Sequence, residues 1–148
     1  MPAELQNIKG LDKLREALLE LPKGIAKNVL RGSVNAGASV VRAEVKNRVP
    51  VKTGTLKRAI YQKQIRERSN NEQQTFFVGV RQGRSAKKTK KGNIDGWYAK
   101  FVEFGTSKMS ARPFMRPAFE AKKQESVSAI RDYIAKRIPE EVEKAKRK

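Results

Sequence analysis

The chain has 148 residues, with 34 Lys and Arg against 15 Asp and Glu, a formal net charge of +19 and a pI near 10.5. It holds no cysteine and no histidine, which removes thiolate chemistry, a disulfide framework and the commonest general base and metal ligand. No segment approaches the ~20 consecutive apolar residues that span a bilayer, and the N-terminus lacks the apolar run of a signal peptide. A soluble chain without a membrane partner is expected.

A chain of this length is enough for one domain, which buries roughly 68–70% of its unfolded surface. Hydrophobic residues are only 38% and charged residues 33%, so an extended or multi-armed shape is expected rather than a compact sphere. The charge far exceeds the magnitude of about 2–8 that keeps a small domain in solution. It points to contact with a polyanion, above all the nucleic-acid backbone.

In chain order, Leu11, Leu14, Leu18 and Leu21 recur at spacings of three and four, one face of a helix that Pro22 and Gly24 are expected to end. A second helix is predicted from Ile25 to Asn47, its stripe formed by Ile25, Val29, Val34, Ala38, Val41 and Val45. Gly32 and Gly37 inside it each weaken it by about 1 kcal/mol relative to Ala. They imply either close packing against another backbone or a looser helix. After Pro50, Val51 to Gly54 reads as a turn, in which Thr53 either caps a short helical turn through Leu56 or leads directly into a strand.

Residues 59 to 66 alternate loosely, with Ile60, Gln62 and Gln64 against Tyr61, Lys63 and Ile65. Thr75 to Val80 is the clearer strand, rich in aromatic and β-branched residues. The polar run Ser69 to Gln74 reads as the loop of a hairpin between them. A basic loop follows, carrying Arg81, Arg84, Lys87, Lys88, Lys90 and Lys91 with no acid. It lacks apolar surface to offset the entropy of ordering. It reads either as an arm facing phosphates or as a solvated hairpin tip. No aromatics interleave with its cations, so any nucleic-acid contact is expected to follow the backbone and ignore sequence.

Trp97 to Phe104 admits two readings. As a helix it gathers Tyr98, Phe101 and Val102, with Trp97 and Phe104, on one broad face. As a strand it splits Trp97, Ala99, Phe101 and Glu103 from Tyr98, Lys100, Val102 and Phe104. Gly105 supplies a turn open to few other residues. Glu103, an acid among aromatics, needs donors, and Arg112, Arg116 or Arg58 are the expected partners. Ala111 to Phe114 should be extended ahead of Pro113, and Pro117 fits the first turn of a helix. That helix has a stripe of Phe119, Val127, Ile130, Ile134 and Ile138, and Pro139 is expected to stop it. The acids Asp12, Asp95, Glu103 and Asp132 fall at no spacing suited to a two-metal site, so no catalytic residue, metal or cofactor is expected.

The order and spacing of Val49-Pro-Val-Lys-Thr-Gly-Thr-Leu56, Ile60, Phe77-Val-Gly-Val80, Tyr98-Ala-Lys-Phe-Val-Glu-Phe-Gly-Thr106 and Ala111-Arg-Pro-Phe-Met-Arg-Pro-Ala118 carry a resemblance. The chain resembles the phage tail-component family, which includes tail-completion and head–tail joining proteins of the lambda minor tail protein Z kind. The motif residues are Thr53, Gly54, Leu56, Tyr98, Phe101, Val102, Glu103, Phe104, Gly105, Thr106, Arg112, Pro113, Phe114, Arg116 and Pro117.

The resemblance implies an α+β protomer: two N-terminal helices, a small antiparallel sheet with a long basic loop, a short aromatic helix or strand, and a C-terminal helix packed on the sheet. It implies a single tail-completion-like domain over 1–148, helical over 1–47, with a β-rich family core over 48–118, a C-terminal helix over 119–138 and a charged tail over 139–148. It also implies a non-enzymatic virion protein of the neck or tail, assembled in the host cytoplasm. Its expected partners are its own copies in a hexameric ring, the tail tube or terminator, the head connector, and duplex DNA passing through the channel. A free, sequence-independent nucleic-acid-binding protein is the alternative that the charge alone supports.

Overall fold

Two long helices pack antiparallel against one another, with an apolar cluster at each end of their contact. The computed structural model describes residues 10–83, 86–90 and 92–147. Helix α1 spans Leu11–Leu19 and α2 spans Lys23–Arg48. A single turn, α3, covers Thr55–Ala59 and leads directly into β1, Ile60–Gln64, which pairs with β2, Phe76–Val80. A second ribbon joins β3, Lys87–Thr89, to β4, Gly92–Ile94. Helix α4 covers Ala99–Phe104 and α5 runs over Met115–Lys146. The architecture is α+β, as expected.

The β1–β2 ladder is antiparallel, with Ile60 opposite Val80 and Gln64 opposite Phe76. Alternation along β1 turns Ile60, Gln62 and Gln64 toward α2 and leaves Tyr61 and Lys63 outside. Gln62 fixes the sheet to α2, its Nε2 donating to Asn35 Oδ1 at 2.7 Å and to Ser39 Oγ at 3.1 Å. On the outer face Phe77 meets Tyr61 edge to face, with ring centroids 6.1 Å apart. In the connection, Asn70 Oδ1 accepts the N–H groups of Glu72 and Gln73 at 2.8 and 2.7 Å, closing the polar loop by a side-chain turn.

Two apolar clusters hold the layers. Val45, Val49, Leu56, Ile60, Ala99, Phe114 and Ala118 bring together α2, α3, β1, α4 and the first turns of α5, so the C-terminal helix packs on the sheet at this end. Leu21, Val29, Ile134 and Ile138 tie the far ends of α2 and α5 together beneath α1. Between the clusters the long helices approach closely. A Cβ at Gly37 would lie 2.7 Å from Ile130 Cγ1, and one at Gly32 would lie 2.3 Å from the Tyr133 hydroxyl. Ser126 Oγ donates to the Gly37 carbonyl at 2.9 Å across this seam. Close packing is therefore the reason for both glycines.

Several sequence expectations are corrected. Gly24 does not help end the first helix; it sits in the first turn of α2, with Pro22 just before that turn. The buried stripe of α2 runs through Val29, Ser33, Gly37 and Val45, and it passes beside Val34 and Ala38. Pro139 does not stop the last helix, which continues to Lys146. Proline inside a helix costs about 3 kcal/mol. Here Val142 packs beyond it on the second cluster, and Arg137 spans it with ion pairs to Glu140 (2.7 Å) and Glu141 (3.2 Å). Phe119 is 47% exposed, and its neighbour Ala118 takes the core position.

Candidate functional site

The motif residues converge at one end of the molecule, around α4 and the entry to α5. Gly54, at φ 75°, holds the capping position of α3, and no side chain caps that turn. Thr53, one residue before that position, still binds the first residue of the turn: its Oγ1 accepts the Thr55 N–H at 3.5 Å and donates to Thr55 Oγ1 at 3.1 Å. Leu56, one residue into α3, is buried in the first cluster.

Helix α4 settles the two readings of the aromatic run in favour of a helix, but not with one broad aromatic face. Ala99 is buried, and Tyr98 and Val102 pack on the first cluster. Trp97, Phe101 and Phe104, spaced by four and three, point outward and are 60%, 37% and 81% exposed. Trp97 lies edge-on to both Tyr98 and Phe101, with centroids 5.7 and 6.1 Å apart. Lys100 Nζ sits 5.2 Å from the Phe101 ring centroid, a cation over the negative face of the ring.

Glu103 finds donors, but they are not guanidinium groups. Its Oε2 accepts the N–H of Phe114 at 2.7 Å and of Met115 at 3.1 Å, and its Oε1 accepts the N–H of Arg116 at 3.2 Å. The carboxylate thus caps the start of α5, where the first backbone amides lack partners within the helix and the dipole favours negative charge. Among the described residues no ion pair joins it to Arg58, Arg112 or Arg116. Arg112 contributes its backbone N–H to the Val102 carbonyl at 2.7 Å. Pro113 directs the chain into Phe114, which is buried, and Pro117 lies in the first turn of α5. Gly105 closes α4 at φ 75°, ψ 179°, a region essentially reserved for glycine. Thr106 then forms an isolated bridge with Met109.

Beside α4 lies an open, mainly apolar groove of about 500 Å³, floored by Pro50, Leu56, Tyr98, Val102 and Met109. Lys52, Lys108 and Arg112 also line it, and no acid does.

Among its described residues the basic segment takes the hairpin reading, with β3 paired to β4. Arg81 is anchored through its backbone, donating to the Ala59 carbonyl at 2.9 Å and accepting from Gly96 at 2.7 Å. Its guanidinium lies 4.6 Å from the Tyr61 ring centroid. Lys87 and Lys88 belong to β3, and Lys88 and Lys90 are exposed; Arg84 and Lys91 lie outside the described residues. Asp95, which the sequence shows only as a scattered acid, clamps the base of this hairpin. Its Oδ1 accepts from Gly83 at 3.2 Å and from Trp97 at 3.1 Å, coupling the basic segment to the aromatic helix.

A second concentration of positive charge lies on α2 and α3. Burial pushes the Lys46 ammonium below the usual lysine range, and repulsion from Arg42 and Lys57 adds to it. Among the described residues no group of three or more Asp or Glu side chains could hold a metal ion, and no helix is long and apolar enough to cross a membrane.

A protein-family model described as "Bacteriophage HK97-gp10, putative tail-component" matches residues 12–105, more than half of the chain. The chain belongs to this family of phage tail components. The match runs from α1 to Gly105, so the Glu103 carboxylate lies inside it and the amides that it caps lie beyond. No curated protein and no solved structure matches the chain.

Proposed function

We propose that the chain is a structural virion protein that forms a ring at the head–tail joint, or at the head-proximal end of the tail tube, and leaves a channel for duplex DNA. The observation that carries this reading is family membership over residues 12–105 in a chain of net charge +19. A tail component of that charge suits a surface past which phosphates travel, because the attraction is independent of base sequence. The exposed hairpin lysines Lys88 and Lys90, with Arg81 at its base, are our candidates for the lumen. We propose a hexameric ring, with a tail tube or terminator on one side and a head connector on the other, and a role in assembly rather than catalysis. The lambda minor tail protein Z kind of tail completion fits this position.

Labelling of virions with an antibody to the chain tests the placement. Label confined to the neck is expected, and label along the whole tube or at the distal tip would contradict it. The charge also favours a second reading, a free nucleic-acid-binding protein, which predicts strong duplex binding by the monomer and no association with tails.

A further inference from the structure

The groove beside α4 holds positive charge that nothing around it balances. Lys52, Lys108 and Arg112 line it, no acid does, and among the described residues none of the three forms an ion pair. Its floor is apolar, and Met109 within it stays 43% exposed. We infer that this groove docks an acidic segment of another virion protein: an extended stretch whose one or two apolar side chains fill the floor while flanking carboxylates meet the three cations. The kind of partner rests on membership of the tail-component family, and the ring is not needed for it.

Local turns fix the cations before any partner arrives. Lys52 lies two residues before Gly54, whose φ of 75° starts α3. Lys108 belongs to a tight turn in which the Thr106 N–H donates to the Met109 carbonyl at 2.8 Å. The Lys108 N–H itself donates to Thr106 Oγ1 at 3.3 Å. Gly105 admits this turn, because a Cβ there would lie 2.8 Å from the Met109 carbonyl oxygen. Arg112 follows, its backbone held by the 2.7 Å bond to the Val102 carbonyl. A rim already in place loses little freedom on binding, which is what preorganisation contributes to affinity.

Charge and size select the occupant. A second copy would bring a net charge of +19 to a cationic rim, and like charges across a contact oppose binding. Carboxylates are attracted instead, and the Arg112 guanidinium offers a planar fork that can hold one through two parallel hydrogen bonds. A nucleic-acid backbone would satisfy the cations but has no apolar side chain for the floor. An acidic peptide segment with apolar residues answers both. The volume of about 500 Å³ falls within the range of about 300–1,000 Å³ of small-ligand sites, so it takes a few side chains and not a folded domain. Exposed ion pairs change affinity by only roughly 1.5- to 5-fold each, so the contact needs the apolar floor as well as the rim.

The methionines give a direct test. Met109 lines the groove, Met115 packs on the first cluster, and Met1 is the one other methionine in the sequence. The full chain, labelled at its methionine methyl carbons, is titrated by nuclear magnetic resonance with the end-blocked peptide Glu-Asp-Leu-Phe-Asp-Glu. Two controls separate the contributions: Gln-Asn-Leu-Phe-Asn-Gln keeps the apolar pair, and Glu-Asp-Ser-Ser-Asp-Glu keeps the charge. The expected result is a saturable shift of the Met109 methyl with the first peptide alone, weakening as salt rises. The double variant K52A/K108A should weaken binding by roughly 2- to 25-fold. K27A/K136A removes the same charge from exposed sites outside the groove and should weaken it less. No Met109 shift with the first peptide, an equal shift with either control, or equal losses in the two double variants overturns the inference. A Met109 shift of the same kind with duplex DNA also overturns it, since the groove would then be a phosphate site. A chain that caps tail tubes but ignores the peptide loses the docking site and keeps the tail role. A chain that binds the peptide but never caps tubes keeps the acid-binding groove and loses the tail role.

Discussion

Glu103 on α4 and Phe114 at the entry to α5 are joined by a 2.7 Å hydrogen bond from the Phe114 N–H to the Glu103 carboxylate. The same carboxylate also accepts the amides of Met115 and Arg116, so one side chain satisfies three donors at the start of a 32-residue helix. The cap lies where Phe114 and Ala118 enter the core.

Removing that carboxylate leaves half-buried amides without partners. Glu103→Ala should destabilise the fold by about 1–3 kcal/mol, the cost of unsatisfied donors and a lost helix cap. Glu103→Gln, which keeps one acceptor, should lose less. Urea unfolding followed by circular dichroism gives both values. Equal stability of Glu103→Ala and the wild type would show that the cap contributes nothing.

Gly105 and Gly37 should respond to alanine for different reasons. At Gly105 a Cβ would meet the backbone of Ala111 at 2.7 Å and of Met109 at 2.8 Å, in a conformation that alanine rarely adopts. The conformational strain alone costs about 1–3 kcal/mol. At Gly37 the gain of about 1 kcal/mol in helix propensity competes with a clash against Ile130 and Ser126. Overpacking of this kind costs about 1–3 kcal/mol, so Gly37→Ala should be mildly destabilising and Gly105→Ala clearly worse. Thermal unfolding of the two variants orders them.

Lys46 makes a pH prediction. Its folded-state pKa is depressed, chiefly by burial and then by Arg42 and Lys57, so the unfolded chain holds the proton to higher pH. Stability contributed by this group should therefore rise as pH climbs from the depressed value toward the usual lysine value of 10.5. Lys46→Met should flatten that rise and should not be destabilising at neutral pH. Denaturant midpoints between neutral pH and pH 10 provide the comparison.

Much of the fold is legible in the sequence where periodicity is strong and local. The extent of α2 follows from its apolar spacing, and the β1–β2 pair from the aromatic and β-branched run of β2 with the polar loop before it. Three features are not legible, each because tertiary partners decide. Helix α5 passes through Pro139 because Arg137, Glu140, Glu141 and Val142 support the next turn. The partners of Glu103 are backbone amides, which carry no side-chain signature. The rings of α4 divide between core and surface because α4 packs on only one flank, through Tyr98 and Val102, a distinction that composition does not show. Of the two readings of the basic segment, the hairpin is the one that the β3–β4 pairing and the Asp95 clamp bear out.

The hairpin lysines should govern salt dependence rather than base preference. Each phosphate contact contributes about 0.9 to the slope of log affinity against log salt. Replacing Lys88 and Lys90 with alanine should therefore lower the slope by about 1–2 and weaken binding to every duplex alike. Fluorescence anisotropy on two unrelated duplexes at several salt concentrations measures this. An unchanged slope would place the DNA contact elsewhere.

The central claim, a ring-forming component of the phage tail, is tested most directly by mass. Light scattering should be recorded for the purified chain alone and after mixing with tail tubes that lack it. The account predicts a closed oligomer in one of the two conditions, with stoichiometric capping of one tube end. A chain that stays monomeric, ignores the tubes and binds duplex DNA with a steep salt dependence would contradict it.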